Sequence, residues 1–103
     1  MDLIDNLGRG WFTARVLYVK IQDSSDGLGR EFHAKLYVEG TGFMVWAIFQ
    51  FRHPVKSVQN RARRKLSAFL AAVGCSVDDQ CNIEQLVDRR LELTSKGTFR
   101  ALV

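Results

Sequence analysis

A chain of 103 residues, 47% apolar and 25% charged with one Pro and 8 Gly, has the length of one domain and a composition that excludes disordered, collagen-like and low-complexity classes. The net charge is +4, but its placement says more than its size: residues 1–51 and residues 66–103 each carry one more acid than base, while Arg52, Lys56, Arg61, Arg63, Arg64 and Lys65 stand together with no acid among them. That segment suits a polyanionic partner, or else it is the solvated face of a helix.

No apolar run approaches the roughly 18 residues of a membrane span, and Met1-Asp2-Leu3-Ile4-Asp5 lacks the basic-then-apolar order of a signal peptide. A soluble, cytoplasmic protein that does not engage a membrane is expected. Cys75 and Cys81 are too few for a disulfide framework and, with only His33 and His53 beside them, lack zinc-ligand spacing. Both are expected to be reduced, structural thiols.

Residues 1–9 read as an N-terminal segment and 10–103 as a single domain. Residues 11–21 are rich in β-branched and aromatic types, which favours a strand. Asp23-Ser24-Ser25-Asp26-Gly27-Leu28-Gly29 ends it, because Gly and Asx residues supply turns. A second strand alternates cleanly, with Phe32, Ala34, Leu36 and Val38 on one face and Glu31, His33, Lys35 and Tyr37 on the other. Gly40-Thr41 reads as a tight hairpin turn with Gly at the residue that needs positive φ.

If Glu39 opposes Gly42, Phe32 meets Phe49, Ala34 meets Ala47, Leu36 meets Val45 and Val38 meets Phe43, so every inward pair is apolar. The other face then pairs His33 with Ile48, Lys35 with Trp46, Tyr37 with Met44 and Glu31 with Gln50. After Arg52-His53-Pro54 the period becomes helical: at about 100° per residue, Val58, Ala62, Leu66, Phe69, Leu70 and Val73 share an arc of roughly 120°. Gly74 is placed to end this helix in a left-handed cap. A short helix at Asn82-Ile83-Glu84-Gln85-Leu86 has capping-box spacing, and Leu91 and Leu93, then Phe99, Ala101 and Val103, read as two strands joined through Ser95-Lys96-Gly97.

The predicted class is therefore mainly β with one long helix (α+β), in the order β-β-β-α-β-β. A five-stranded OB-like barrel has this order and binds nucleic acid across strands two and three and the loops joining strands 1–2 and 4–5. An open sheet backed by one helix is the alternative that the same elements allow.

The stretch from His53-Pro54 through Ser57-Val58-Gln59-Asn60-Arg61-Ala62-Arg63-Arg64-Lys65-Leu66-Ser67-Ala68-Phe69-Leu70-Ala71-Ala72-Val73-Gly74 resembles a family of small phage-encoded proteins. That family was first catalogued as a domain of unknown function, and its members are often described as single-stranded-DNA-binding or recombination-associated. Gly10-Trp11-Phe12, Ser24-Ser25-Asp26-Gly27 and Ile83-Glu84-Gln85-Leu86-Val87-Asp88-Arg89 stand where the family has its Gly-aromatic opening, its Gly-containing loop and its short helix before the last hairpin. The resemblance covers about residues 10–103 and implies a single-strand binder of phage or prophage replication and recombination, acting in the bacterial host cytoplasm.

No catalytic constellation emerges, and neither a metal nor a cofactor is implied. Asp78-Asp79 reads as a solvated or capping pair, and His53 has no Ser, Cys or Asp partner for base catalysis, leaving a structural or phosphate-contact role. Gly27-Leu28-Gly29 precedes a strand instead of a helix, so the phosphate-cradle reading fails. A single strand exposes base faces and one charge per phosphate, so its binder needs aromatic rings bordered by Lys or Arg. The candidate residues are Trp46, Tyr37, Lys35 and His33 on the sheet, with Arg30, Arg52, Lys56, Arg61, Arg64 and Lys96 for phosphates. The expected partner is single-stranded DNA, with RNA as the alternative nucleic acid. In a rival reading Trp46, Met44 and Ile48 form the contact of a homodimer or an interaction module, and the arginines only confer solubility.

Overall fold

Alternation in the second strand and the turn that follows it set the expected pairing with the third, and the computed structural model, which describes residues 10–75 and 83–102, has that pairing. β1 (Phe12–Asp23), β2 (Arg30–Val38) and β3 (Phe43–Arg52) form an antiparallel meander, followed by α1 (Lys56–Ala72), a 3-10 helix (Ile83–Leu86), β4 (Arg90–Leu93) and β5 (Phe99–Ala101). The strands make one antiparallel sheet in the order β3-β2-β1-β4-β5.

All seven expected pairs from Phe32–Phe49 to Val38–Phe43 are present. The connecting turn is wider than expected, with Val38–Phe43 as the last pair and both Gly40 (φ 81°) and Gly42 (φ 78°) in the left-handed region. Thr41 ties it: its Oγ1 donates to Val38 O (2.9 Å) and accepts from Phe43 N–H (3.0 Å). At the far end the register slips between Arg30 and Phe32, so Glu31 and Gln50 meet through side chains (3.4 Å) and not as ladder partners. Here the backbone of the β1–β2 loop closes on β3, and a Cβ on Gly29 would collide with Arg52 O.

The inward residues of β2 and β3 pack with Phe69 of α1 and Phe99 of β5. Phe32, Phe49, Phe69 and Phe99 form an aromatic cluster with centroids 5.3–6.2 Å apart. The expected helical stripe points at the sheet, with Phe69, Ala72 and Val73 buried and Val58, Ala62, Leu66 and Leu70 half-buried. Gly74 (φ 79°) caps α1 as expected. Cys75 N–H donates to Leu70 O (2.8 Å) and Gly74 N–H to Ala71 O (3.1 Å), the paired bonds of a Schellman motif. Arg89 adds a cation at this end by donating from Nη1 to Val73 O (2.9 Å). At the other end no side chain caps Val55 in the usual way. His53 replaces it, accepting from Val55 N–H at Nδ1 (3.0 Å) while its own N–H donates to Gln59 Oε1 (3.0 Å).

The expected barrel is not closed, and the open sheet backed by a helix is what forms. β4 has 4 residues and β5 has 3, against 10 in β3, so β5 is too short to run a ladder along it. Across that seam the edges meet through Phe49 and Phe99 (5.9 Å) over Phe69. Cys75 is disulfide-bonded, which corrects the expected reduced thiol. Two cysteines are too few for a framework, but a single bridge needs none. Cys81 lies outside the described residues, as do the N-terminal segment 1–9, Asp78-Asp79, Asn82 and Val103.

Candidate functional site

Where β1 passes β2, a bulge between Val16 and Tyr18 changes which residues face outward. Ala14, Val16 and Val19 are buried, so Arg15, Tyr18 and Lys20 lie on the outer face. The β1–β2 and β2–β3 registers then set three cross-sheet rows: Arg15–Tyr37–Met44, Tyr18–Lys35–Trp46 and Lys20–His33–Ile48. The sheet thus gathers rings and ammonium groups from three strands onto one surface.

Trp46 is at its centre and 42% exposed. The Tyr18 ring meets it nearly edge-on across Lys35 (6.3 Å, 87°), and His33 meets it from the next row (6.0 Å, 74°). Lys20 Nζ stands 5.7 Å and Lys35 Nζ 5.9 Å from the indole centroid, within the range in which a cation is attracted to the ring.

The neighbouring acids are engaged elsewhere. An ionised carboxylate can only accept, so His33 Nε2 donates to Glu31 Oε1 (2.9 Å). That bond outweighs partial burial and, helped by Gln50, holds the Glu31 carboxyl below its usual range. Glu39 pairs with Arg90 (2.6 Å). Among the described residues Arg15, Lys20 and Lys35 form no ion pair, so their charge is free for a ligand.

The β1–β2 loop beside this face is held by its own side chains. Asp26 Oδ1 accepts from Ser24 Oγ (2.5 Å) and Leu28 N–H (2.9 Å), which keeps its carboxyl below the usual range. Ser24 Oγ in turn accepts from Gly29 N–H (2.9 Å). This explains the Asp and Gly content of the loop without a bound phosphate.

The basic segment divides into three. Arg63 is structural, its Nε donating to Phe51 O (2.8 Å) and tying α1 to β3. Arg30, Arg52 and Lys56 stand at the end of the sheet, Arg30 opposite Arg52 and paired with Asp23 (3.5 Å), away from the Trp46 row. Arg61 and Lys65 border a shallow hollow with Ile48 and Gln50, Lys65 and Lys96 a second with Ala47 and Phe99, and Arg64 and Lys65 a third with Gly97 and Thr98.

Of the residues expected from sequence, Trp46, Tyr37, Lys35 and His33 share the outer face, and Arg61, Arg64 and Lys96 each border a different one of the three hollows, which have Lys65 in common. Arg15, Tyr18 and Lys20 belong to these surfaces without having been expected, and so does Lys65, which was expected only as one cation of the basic segment. The first three needed the β1 bulge, for which only the consecutive apolar run Val16-Leu17-Tyr18-Val19 is a signal; Lys65 needed the position of β5.

Among the described residues no group of three or more His, Cys, Asp or Glu side chains could hold a metal ion, and no helix is long and apolar enough to cross a membrane. The chain matches no family model, and comparisons with characterised proteins and with solved structures return no match.

Proposed function

We propose that the protein binds single-stranded nucleic acid without sequence specificity, with DNA as the preferred partner. The observation that carries this reading is the exposed Trp46 ring between Lys20 and Lys35, neither of which has a carboxylate partner among the described residues. A base can stack on the indole while the ammonium groups exchange their weak hold on the ring for a phosphate. Further support comes from the strand order with the helix between β3 and β4, which fits a partly open barrel of the oligonucleotide-binding class. A role in phage replication or recombination is the part of this reading that rests on the resemblance of the sequence to the phage family alone.

The test is a titration of labelled single-stranded DNA, duplex DNA and RNA at two salt concentrations. Single strands should bind better than duplex. If roughly four cations touch phosphates, the log–log salt slope should be about −3. Saturable binding with a slope near zero would remove the electrostatic half of the reading.

One observation favours the rival reading of a homodimer or interaction module: Met44 and Ile48 flank Trp46 on edge strand β3 and are 58% and 52% exposed. An apolar stripe of this kind also suits a protein contact. A stable dimer in sedimentation, with Trp46 emission shifted to the blue on assembly, would favour that reading.

A further inference from the structure

The outer face does not stop at β3. Ile48 belongs to the Lys20–His33–Ile48 row and also lines the hollows that Arg61, Lys65 and Lys96 border, so one surface runs from Trp46 over the edge of the sheet to α1 and the β4–β5 turn. That surface changes character on the way. Around Trp46 it is aromatic; beyond Ile48 it is cationic, and Lys65 takes part in all three hollows. Among the described residues Arg61, Arg64, Lys65 and Lys96 form no ion pair. Four uncompensated charges along an open seam repel one another, and an anion placed among them relieves that repulsion. A single strand is the anion that also explains the adjoining rings, because stacking and phosphate contacts must alternate along it.

We propose that a bound single strand occupies two subsites in series: a stacking subsite around Trp46 on the outer face, and a phosphate subsite over the edge of β3, formed by Arg61 and Lys65 of α1 and Lys96 of the β4–β5 turn. This rests on the single-strand reading above and adds a direction to it. The strand crosses β3 instead of running along it, and the open seam that leaves the sheet unclosed serves as the second half of the path. Short oligonucleotides fill the first subsite alone; longer ones reach the second and acquire its charge contacts.

Oligothymidylates of about 4 and about 12 nucleotides, within the usual span of single-strand site sizes, separate the two. In Lys65→Ala/Lys96→Ala the short oligomer should bind with unchanged affinity and quench Trp46 as in the wild type. The long oligomer should lose roughly tenfold in affinity, with a salt slope reduced in magnitude by about 1.4, the share of two phosphates. Lys65→Gln/Lys96→Gln, which keeps most of the side-chain stem, should behave alike and guards against a packing effect. Equal losses for both lengths, or none for either, would overturn the two-subsite path. Failure of the wild type to bind either oligomer would instead overturn the single-strand reading.

Discussion

On the inner face of β2 and β3, Phe32, Ala34, Leu36, Val45, Ala47 and Phe49 are at most 9% exposed, while on the outer face of β3 Met44, Trp46 and Ile48 lie open to solvent. Both faces are read from alternate residues of one hairpin, and both contain large apolar side chains. What differs is their company. Phe49 is buried among aromatic neighbours on α1 and β5, with Arg61, Lys65 and Lys96 only bordering the hollows it lines, whereas Trp46 is exposed, with Lys20, Lys35 and His33 around it and no second layer above it. Hydrophobicity alone does not separate a core residue from a binding residue in a sheet; an uncovered ring with cations over it does.

Substitutions on the two faces should therefore fail in different ways. Phe49→Ala removes a ring from the four-membered aromatic cluster, and thermal or denaturant unfolding should show a loss of about 3–5 kcal/mol of stability. A near-neutral result would mean the core relaxes around the gap. Trp46→Ala should cost about 1–3 kcal/mol of single-strand affinity, measured by fluorescence anisotropy, with a smaller change in melting than Phe49→Ala. Global unfolding of Trp46→Ala would assign that ring to the core and erase the distinction between the faces.

Smaller effects sharpen it. Arg61→Glu with Arg64→Glu should weaken binding to all sequences alike while melting stays nearly unchanged, since exposed charges contribute little to stability; unaltered affinity would leave these arginines to solubility. Lys35→Ala should weaken binding less than Trp46→Ala, through loss of one phosphate contact. The smallest effect is in pH dependence. The Glu31 carboxyl lies below its usual value of 4.5 because His33 donates to it, so its contribution to stability is complete above that value and is lost as pH falls through the lower native one. Glu31→Gln should therefore flatten the acid limb of the stability curve below about pH 4.5 relative to the wild type; superimposable acid limbs would show that the His33 bond adds nothing to the fold.

The hairpin was legible because the second strand alternates cleanly and the register set by the turn pairs its apolar face with apolar residues of the third. Gly74 was legible as a cap because it directly follows the last residue of the helical stripe. β1 was legible as a strand but its faces were not, since Val16-Leu17-Tyr18-Val19 is apolar on both parities and nothing local says where a bulge falls; Tyr18 and Lys20 were lost with it. The open seam was hidden for a different reason: an element order does not tell whether two short strands reach the edge of a long one. The importance of Lys65 over its neighbours is likewise tertiary, because its place beside Gly97 and Phe99 depends on where β5 ends up.

The most direct test of the outer face is the emission of Trp46 itself. It is followed in a Trp11→Phe background, because Trp11 carries Arg100 3.9 Å over its ring and would add its own signal. Titration with single-stranded DNA should quench Trp46 saturably, with the midpoint moving to higher oligonucleotide concentration as salt is raised. Anisotropy that reports a bound oligonucleotide while Trp46 emission stays constant would contradict the account, because the strand would then be held away from the face formed by Tyr18, Lys35 and Trp46.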